Sequence, residues 1–475
     1  MAVHIPQFPL LTYLTGAHIF RVLPEIEAGI TNKLGNPGFA VEYFKSNDLT
    51  RPPFRTEESP RSSFATLMNR EVVEARAARC TATYTPPTSG NHYLSFSALG
   101  PAKLFMNDEL IHHQQEDTRD AMAFLLGVQD EHKFNFQFDS SKQYEIRIET
   151  YRQLEDKAEL ALLDGQMSVH LGLVLQEDME MDLMAEAVAM AKNAEVAIMF
   201  VGNTVQWETE GQDLATMTLP ADGSQDALIS AVAAANPNTI VVNTTGVAVE
   251  TPWIDNVAAF VQAWYAGQET GNAILDVLLG EVNPSGRLPI SWPKKYEHTA
   301  CYGNFGLDSY DSKEVEYVEG VFVGYRHFDL IYGTEKEVRF PFGYGLSYTQ
   351  FSVSDVRASG SITHDAQVSV SFNLKNVGSC AGAEVVQVYL SPPSTSTSER
   401  PPKSLVGFAK VHLQPDECGS ATVTFGKADA AYWNEAADKW QVESGEHKII
   451  VATSSSPADV ITTLPISIEA FVFDP

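Results

Sequence analysis

The chain has 475 residues, of which 61 are acidic and 32 basic, so its formal net charge at pH 7 is −29. Nucleic-acid binding depends on Lys and Arg at the phosphates, and this charge balance argues against it. No apolar run approaches the ~20 residues that a membrane span needs. We therefore expect about three domains, no nucleic-acid or membrane partner, and a small or neutral substrate.

The start of the chain and its cysteines bear on the compartment. Residues 1–6 show no basic segment followed by an apolar one, so we predict no signal peptide and a cytoplasmic location. Cys80, Cys301, Cys380 and Cys418 are far apart and form no CxxC pair, which favours free thiols. A bond between Cys380 and Cys418 within one β-sandwich is the alternative. We predict neither a metal nor a cofactor, because the sequence lacks zinc spacing and any phosphate or dinucleotide fingerprint.

The first third of the chain is predicted to be mainly β. Within residues 1–36 we predict a short strand over Ile19–Pro24 and a helical turn over Glu25–Lys33. Residues 37–175 contain short strands with alternating apolar and polar positions, a spacing typical of a β-sandwich. Asn107-Asp108 is predicted to form a hairpin turn between two of these strands. A carbohydrate-binding role for this unit would need exposed aromatics, and Tyr93 and Phe96 are the candidates.

Between residues 176 and 298, strands and helices alternate. The predicted elements are a helix over Met181–Asn193, a strand over 196–201, a helix over 225–235 capped by Ser224, strands over Thr239–Asn243 and Val257–Trp264, and a helix over Asn272–Leu279 that ends at Gly280. This alternation predicts a mainly parallel sheet with helices on both faces. We expect Trp253 and Trp264, beside the strands, to lie in its core.

The last part of the chain returns to β-structure. Residues 299–350 are a long connector, rich in Gly and Tyr, that we expect to clamp domains together. Alternating strands resume at Phe351 and predict a second β-sandwich over residues 351–475.

A short acidic stretch follows the first predicted parallel strand. Glu208, Glu210 and Asp213 lie within six residues, next to Trp207. Ligands of open α/β sheets bind at the carboxyl ends of the strands, so these carboxylates are placed for chemistry. A solvated acidic loop is the alternative interpretation.

Several ordered motifs resemble glycoside hydrolase family 3, the β-glucosidase family. They are Trp207-Glu-Thr-Glu-Gly-Gln-Asp213, Pro252-Trp253, Ala263-Trp-Tyr-Ala-Gly-Gln-Glu269, Asp276-Val-Leu-Leu-Gly280, Asn283-Pro-Ser-Gly-Arg-Leu-Pro289, Phe340-Pro-Phe-Gly-Tyr-Gly-Leu-Ser-Tyr348, Gly382-Ala-Glu-Val-Val-Gln387 and Arg400-Pro-Pro-Lys-Ser-Leu-Val-Gly-Phe408. The resemblance covers nearly the whole chain.

The resemblance implies a domain for each part of the chain. Residues 37–175 resemble a protective-antigen-type β-sandwich insert, residues 176–298 a truncated α/β sandwich, and residues 351–475 a fibronectin type III-like domain. Residues 1–36 resemble the remnant of the α/β sandwich that precedes the insert. The expected fold class is therefore multidomain α/β plus all-β.

The same resemblance shows what the chain lacks. Family members begin with a TIM-type barrel of about 250 residues, which carries the nucleophilic Asp in a Ser-Asp-Trp type motif. This chain has no such motif and no room for the barrel. The acidic stretch departs from the family pattern as well, because Leu214 follows Asp213 in place of the usual Arg. The motif Ala263–Glu269 also departs, with Ala266 in place of Pro, and Thr270 stands where a Gly usually follows it.

By motif position Glu210 resembles the family's acid/base residue, and three interpretations of it stay open. It is an active proton donor in an apolar pocket walled by Trp207, an ordinary exposed Glu, or half of a site shared with a separate barrel chain. Asp213 and Glu208 are solvated or structural, or either serves as a second carboxylate. The predicted substrate contacts beside Trp207 are Asn203, Tyr325 and His327, with packing as the alternative for the last two.

Three functions are compatible with these residues. The first is a repurposed acid–base enzyme that uses Glu210 on a small molecule, in a dehydration, cyclisation, isomerisation or elimination. The second is glycoside hydrolysis with a nucleophile recruited elsewhere or from a partner chain, and the third is non-catalytic carbohydrate binding. We expect a homodimer or a separate barrel chain as partner, because loss of a barrel would expose apolar surface.

Overall fold

The computed structural model describes most of the chain. The described residues are 12–67, 69–118, 121–152, 165–211, 213–220, 222–304, 316–332, 337–396 and 398–474. Within them the structure confirms a sheet-rich chain with several separate sheets and few helices. Among these residues, no helix has the length and apolar character that crossing a membrane would require. The four cysteines are unpaired, as predicted.

The first unit consists of two sheets that share one core. In chain order its strands are β1 (Ile30–Thr31), β2 (Phe39–Phe44), β3 (Arg55–Ser59), β4 (Ser63–Ala65), β5 (Ala77–Tyr84), β6 (Gly90–Ala98), β7 (Ala102–Met106), β8 (Glu109–Gln114), β9 (His132–Phe138), β10 (Tyr144–Tyr151) and β11 (Ser168–Val174), with a short helix α1 (Ala121–Leu125) before β9. One sheet has the order β3-β2-β5-β10-β7-β8, with β1 also paired to β5, and the other has the order β4-β11-β6-β9. Phe39 and Ile148 from the first sheet join Leu94 and Leu171 from the second in one hydrophobic cluster. Apolar burial between the sheets therefore holds this unit together.

The hairpin between β7 and β8 is tight. Asn107 and Asp108 have φ angles of 50° and 64°, which a two-residue type I′ turn requires of both central residues. Asn and Asp tolerate this left-handed conformation better than other non-glycine residues. The predicted hairpin turn is confirmed.

The structure contradicts two predictions near the start of the chain. Ile19–Pro24 is not a strand, and Glu25–Lys33 contains no helical turn; Ile30–Thr31 instead forms β1 against β5. The backbone N–H of Ile26 donates to Ser62 Oγ at 2.8 Å. The polar groups of this segment thus find partners far along the chain, and these long-range bonds override its local helical preference.

The second unit alternates helices and parallel strands. Its elements are α2 (Gln176–Glu180), α3 (Leu183–Asn193), β12 (Ala197–Gly202), α4 (Ser224–Ala235), β13 (Thr239–Thr244), β14 (Ala259–Gln262) and α5 (Thr270–Leu279). Both pairings, β12 with β13 and β13 with β14, are parallel. Val241 clusters with Ile229 of α4, whereas its neighbours Ile240 and Val242 cluster with Ile274 of α5. Adjacent residues of a strand point to opposite faces, so a helix covers each face of the sheet.

The ends of these helices show one correct prediction and one wrong one. Gly280 ends α5 in the left-handed conformation, with φ 77°, as predicted. Ser224 is not the N-cap of α4; Gly223, with φ 71°, takes that position and Ser224 is the first helical residue. The side chain of Asp222 accepts from the Ser224 N–H at 2.9 Å, so a neighbouring carboxylate provides the acceptor expected of a cap. Trp253 is buried in the core, as expected, and Trp264 packs at its edge.

The connector and the C-terminal unit complete the fold. Their elements are β15 (Trp292–Pro293), α6 (Tyr325–His327), β16 (Val338–Phe340), β17 (Phe351–Gly360), β18 (Val368–Asn376), β19 (Gly382–Ser391), β20 (Ser404–Leu413), β21 (Cys418–Phe425), α7 (Lys427–Ala430), β22 (Tyr432–Asn434), β23 (Lys439–Val442), β24 (Gly445–Ala452), β25 (Val460–Ile468) and β26 (Phe471–Phe473). The C-terminal sheets have the orders β17-β18-β21, β20-β19-β24-β25 and β22-β23-β26. Two ion pairs join this unit to the preceding chain, Lys403 to Asp329 at 2.7 Å and Arg287 to Glu384 at 2.6 Å.

Candidate active site

The candidate site lies at the carboxyl-terminal edge of the parallel sheet, where three loops meet. The side chain of Asn243, near the end of β13, donates to Gln262 Oε1 at 2.7 Å, and Gln262 Nε2 donates to the Thr245 carbonyl at 2.9 Å. The backbone N–H of Asn203, after β12, donates to the Thr244 carbonyl at 3.1 Å. These bonds fix the loops after β12, β13 and β14 relative to one another.

Glu208 is the anchored carboxylate of the acidic stretch. It accepts the backbone N–H of Gly246 at 2.9 Å, the Tyr265 hydroxyl at 3.0 Å and Asn203 Nδ2 at 3.2 Å. Burial raises the pKa of Tyr265 far above its usual range, and the negative charge of Glu208 raises it further, so the phenol stays protonated and donates. A carboxylate that accepts three hydrogen bonds from three loops is suited to holding those loops together.

The residues just before Glu208 are tied to the beginning of the chain. Gln206 Oε1 accepts the backbone N–H of Arg21 at 3.2 Å, and Gln206 Nε2 donates to the Val22 carbonyl at 3.2 Å. The Trp207 indole donates to the Ile19 carbonyl at 2.6 Å. Trp207 therefore packs on this N-terminal segment, and the acidic stretch is held on this side too.

Glu210 and Asp213 are the exposed carboxylates of the stretch, and both face an open cleft. The cleft has a volume of about 570 Å³, and the described residues lining it are Glu208, Thr209, Glu210, Asp213, Leu214, Val247, Tyr296 and Cys301. Gly211, between the two carboxylates, adopts a left-handed conformation with φ 75°. A Cβ atom at this glycine would lie 4.0 Å from Met122 Cγ, so α1 of the first unit reaches the acidic stretch.

The lining of the cleft also includes apolar and aromatic side chains. Leu214 and Val247 are partly exposed toward solvent, 38% and 40% respectively. Burial raises the pKa of Tyr296, and the ionisable side chains of Cys301 and Tyr302 raise it further. Tyr296 is therefore a neutral donor near neutral pH. The cleft thus presents two accessible carboxylates together with apolar side chains and a phenol, an arrangement suited to binding a small polar molecule and exchanging protons with it.

The structure brings only part of the predicted site together. Of the residues predicted from sequence, the described lining of the cleft contains Glu208, Glu210 and Asp213, and does not contain Trp207, Asn203, Tyr325 or His327. Asn203 is buried beneath the loop as a donor to Glu208. The wall that sequence reasoning assigned to Trp207 is formed by other side chains, because the indole turns toward the N-terminal segment.

Tyr325 and His327 lie in the packing between the connector and the rest of the chain. The Tyr325 hydroxyl accepts the backbone N–H of Leu405 at 2.8 Å, and its ring packs against Phe342 and Tyr389. His327 is buried, and this burial lowers the pKa of its imidazole. Both residues therefore occupy packing positions, which is the alternative considered for them from the sequence.

Sequence reasoning missed several side chains of the site. Tyr265 belongs to the stretch Ala263–Glu269, whose pattern marked it as notable without indicating its partner. Gly246, Val247 and Tyr296 carry no signal in their local sequence. Gly246 and Val247 reach the site because they follow β13, which pairs in parallel with β12 and β14, so the order of these strands is needed to place them. Tyr296 follows β15, and only the three-dimensional fold brings it to the cleft.

The fold and the cleft define an α/β protein with a carboxylate site at its strand ends, followed by a β-rich unit. Residues 22–348 match the family model of the glycosyl hydrolase family 3 C-terminal domain, and residues 384–455 match that of a fibronectin type III-like domain. The chain belongs to glycoside hydrolase family 3.

Relatives and solved structures agree with this assignment. The chain is 44% identical over 469 residues to β-glucosidase B of Emericella nidulans, an alignment that covers 98% of this chain and 55% of that protein. It is similar to the crystal structure of β-glucosidase from Kluyveromyces marxianus, with a TM-score of 0.81 and 31% identity, covering 98% of this chain and 55% of that one. The same enzyme in complex with glucose gives a TM-score of 0.80 and 32% identity over 97% and 54% of the two chains. The chain thus spans about half the length of the relatives it matches.

Proposed function

We propose that this chain supplies the acid/base half of a β-glucosidase-type site, with Glu210 as the group that donates and accepts the proton at the glycosidic oxygen. The observation that carries the proposal is the exposed carboxylate of Glu210 on the cleft at the strand ends. The names of the relatives, β-glucosidases, and the glucose bound to one of them support a glucoside as substrate.

The chemistry needs a second carboxylate. A retaining glycosidase uses two carboxyl groups about 5–5.5 Å apart, one as the nucleophile and one as the acid/base. Glu210 fits the second role, since general acid catalysis requires only a protonated carboxyl within reach of the leaving oxygen. The nucleophile is then recruited elsewhere or comes from a separate barrel chain. Asp213, on the same cleft, is the candidate within this chain.

The test is hydrolysis of a chromogenic aryl β-glucoside by the purified chain, with the Glu210→Gln and Asp213→Asn variants measured in parallel. When the aryl group is a phenol that needs protonation to leave, we expect turnover to fall by roughly 10²–10⁴-fold in Glu210→Gln, the contribution that a positioned acid/base makes. Turnover that is equal in the wild type and Glu210→Gln would remove Glu210 from the reaction. If the wild-type chain shows no turnover, either alone or with a barrel chain added, the proposal that it functions as a hydrolase is contradicted.

A second candidate is a repurposed acid–base enzyme that acts on a small molecule by dehydration, cyclisation, isomerisation or elimination. The observation that favours it is the presence of two exposed carboxylates, Glu210 and Asp213, on one cleft, with the apolar side chain of Leu214 beside them. Such reactions need a proton donor and acceptor and no sugar nucleophile. A non-hydrolysed glycoside whose structure changes in the presence of the wild type but not of Glu210→Gln would support this candidate.

Carbohydrate binding by the first unit has weaker support. Phe96 is buried in the core, only 1% exposed, so it offers no ring to a sugar, and the hydroxyl of Tyr93 donates to Glu180. Calorimetric titration with oligosaccharides separates this role from the enzymatic ones.

We also infer a partner and the finer domain types. Large apolar side chains are exposed on the second unit and the connector, including Phe200 at 66%, Leu275 at 50% and Tyr317 at 82%. Exposed apolar surface of this kind favours association, either as a homodimer or with a separate barrel chain. Light scattering that gives the mass of one chain would contradict the homodimer.

We assign residues 37–175 to a protective-antigen-type β-sandwich and residues 176–298 to a truncated α/β sandwich.

A further inference from the structure

We propose that Glu208 and Tyr265 are positioning residues, which fix the loop that carries Glu210 and do not themselves react. This proposal rests on the role proposed above for Glu210. It concerns three loops that are distant in sequence and converge on one carboxylate.

The carboxylate of Glu208 joins three loops, and we call its hydrogen bonds to Gly246 and Tyr265 the Glu208 clamp. Its carboxylate belongs to the loop after β12, one donor is the backbone N–H of Gly246 after β13, and another is the hydroxyl of Tyr265 after β14. Gly246 leaves no room for a side chain, because a Cβ atom there would overlap Glu208 Oε1 and lie 3.0 Å from the Tyr265 ring. The absence of a side chain at position 246 therefore lets the carboxylate approach the backbone closely.

The position of Glu210 depends on this clamp. Gln206 and Trp207 hold the same loop through hydrogen bonds to the N-terminal segment. Glu210 follows Glu208 by two residues, and two residues of extended chain span at most about 7 Å. A displacement of Glu208 should therefore also displace the carboxyl group of Glu210. A misplacement of about 1 Å at a reacting group can cost roughly 100-fold in rate.

Neither member of the pair is suited to proton transfer. The pKa of Tyr265 is held far above its usual range by burial and by Glu208, so its hydroxyl remains a donor. Glu208 accepts hydrogen bonds from Gly246, Tyr265 and Asn203, and protonation would replace an acceptor with a competing donor. The pair is thus a fixed acceptor and a fixed donor.

The first experiment is hydrogen exchange of the full chain without substrate, in the wild type, Glu208→Ala, Glu208→Gln and Tyr265→Phe. We expect exchange in residues 203–211 and at Gly246 to become roughly 10-fold faster in Glu208→Ala, the effect of losing about 1.4 kcal/mol of local stability. The exchange rate in Glu208→Gln should lie between those of the wild type and Glu208→Ala, since the amide oxygen of the glutamine still accepts from the Gly246 N–H. Strand β13 should keep its protection in all the variants.

The matched controls are Glu180→Ala and Tyr93→Phe, which remove another Tyr–Glu hydrogen bond, 3.3 Å long, between α2 and strand β6 of the first unit. They should leave exchange in residues 203–211 unchanged. Equal exchange there in the wild type and Glu208→Ala would overturn the clamp, and so would equal acceleration in the control variants.

The second experiment measures kcat and KM for the aryl β-glucoside in the same variants. A displaced Glu210 predicts that kcat falls by roughly 10–100-fold in Glu208→Ala with KM changed much less, and that Glu208→Gln recovers part of the loss. An unchanged kcat in Glu208→Ala would also overturn the proposal. If the wild type itself shows no turnover, the proposed function fails while the exchange data still decide whether the clamp exists.

Discussion

The backbone N–H of Gly246 donates to the carboxylate of Glu208 at 2.9 Å, and that carboxylate occupies the space that a side chain at position 246 would need. The two residues are 38 positions apart and lie on loops that follow neighbouring parallel strands. Their contact joins the loop of the candidate acid/base residue to the sheet.

Gly246→Ala should therefore behave like a loss of the Glu208 clamp. The new methyl group pushes the carboxylate away from the backbone N–H, and we expect a loss of about 1–3 kcal/mol in the free energy of unfolding, the cost of an unsatisfied polar group. Urea denaturation measures it. Gly271→Ala is the control, because position 271 lies in α5 with nothing within 4 Å of the added methyl group. That variant should be neutral or more stable by up to about 1 kcal/mol, and an equal loss in both variants would contradict the account.

Lys403→Met should strongly destabilise the contact between the connector and the C-terminal unit. Lys403 and Asp329 are 2.7 Å apart with side chains only 11% and 5% exposed, so the substitution leaves a buried carboxylate without its cation. Breaking such a pair costs about 3–5 kcal/mol. Lys375→Met removes an exposed pair, Lys375 with Asp416, and should cost at most about 1 kcal/mol.

The loss in Lys403→Met should also depend on pH. Burial raises the pKa of Asp329, and Lys403 lowers it again. Without the lysine, the folded pKa rises further above the unfolded value, so the folded state binds the proton more readily. Stability lost near neutral pH should then be regained as pH falls through the raised pKa of Asp329. Lys403→Met combined with Asp329→Asn should recover much of the loss at neutral pH, and a double variant as unstable as the single one would refute this explanation.

Histidines 112 and 132 give the first unit a sensitivity to acid. Their rings stack with centroids 3.9 Å apart, and burial lowers the pKa of His112, with His132 and His113 lowering it further. A folded pKa below the unfolded value of about 6.5 means that stability falls as pH drops through about 6.5 and levels off below the folded pKa. His112→Phe keeps a ring in the stack and removes the titration. Its Tm should fall less than that of the wild type between about pH 7.5 and pH 5.

The control for this prediction is His412→Phe, because His412 is an exposed histidine on the C-terminal unit. It should keep the pH dependence of the wild type. If acidification lowers the Tm of His112→Phe and of the wild type by the same amount, the stacked pair is not the source of the sensitivity to acid.

The sequence predicts those parts of the fold that depend on local chemistry. The apolar strand before Asn203 and the turn at Asn107-Asp108 follow from residues that are neighbours in the chain, as does the end of α5 at Gly280. The structure differs from the prediction at Glu25–Lys33 because backbone groups of this segment bond to distant partners such as Ser62, and no local pattern encodes these bonds.

The candidate site divides in the same way. The position of Glu208, Glu210 and Asp213 after a strand predicts a carboxylate site, but their separate roles depend on which of them contacts Gly246 and Tyr265. That meeting depends on parallel pairing over 38 and 57 residues of sequence. Trp207 looked like a wall of the pocket, yet its indole bonds to Ile19, a contact 188 residues away in the chain.

The most direct test of the central claim, that Glu210 is the proton donor, is the dependence of kcat/KM on the leaving group. The dinitrophenolate of a dinitrophenyl β-glucoside leaves without being protonated, whereas the alkoxide of an alkyl β-glucoside needs a proton from a general acid. The account predicts that Glu210→Gln loses roughly 10²–10⁴-fold with the alkyl glucoside and much less with the dinitrophenyl glucoside. The matched variant Asp213→Asn should show no such selectivity. Equal losses of Glu210→Gln on both substrates, or no loss on either, would contradict the claim.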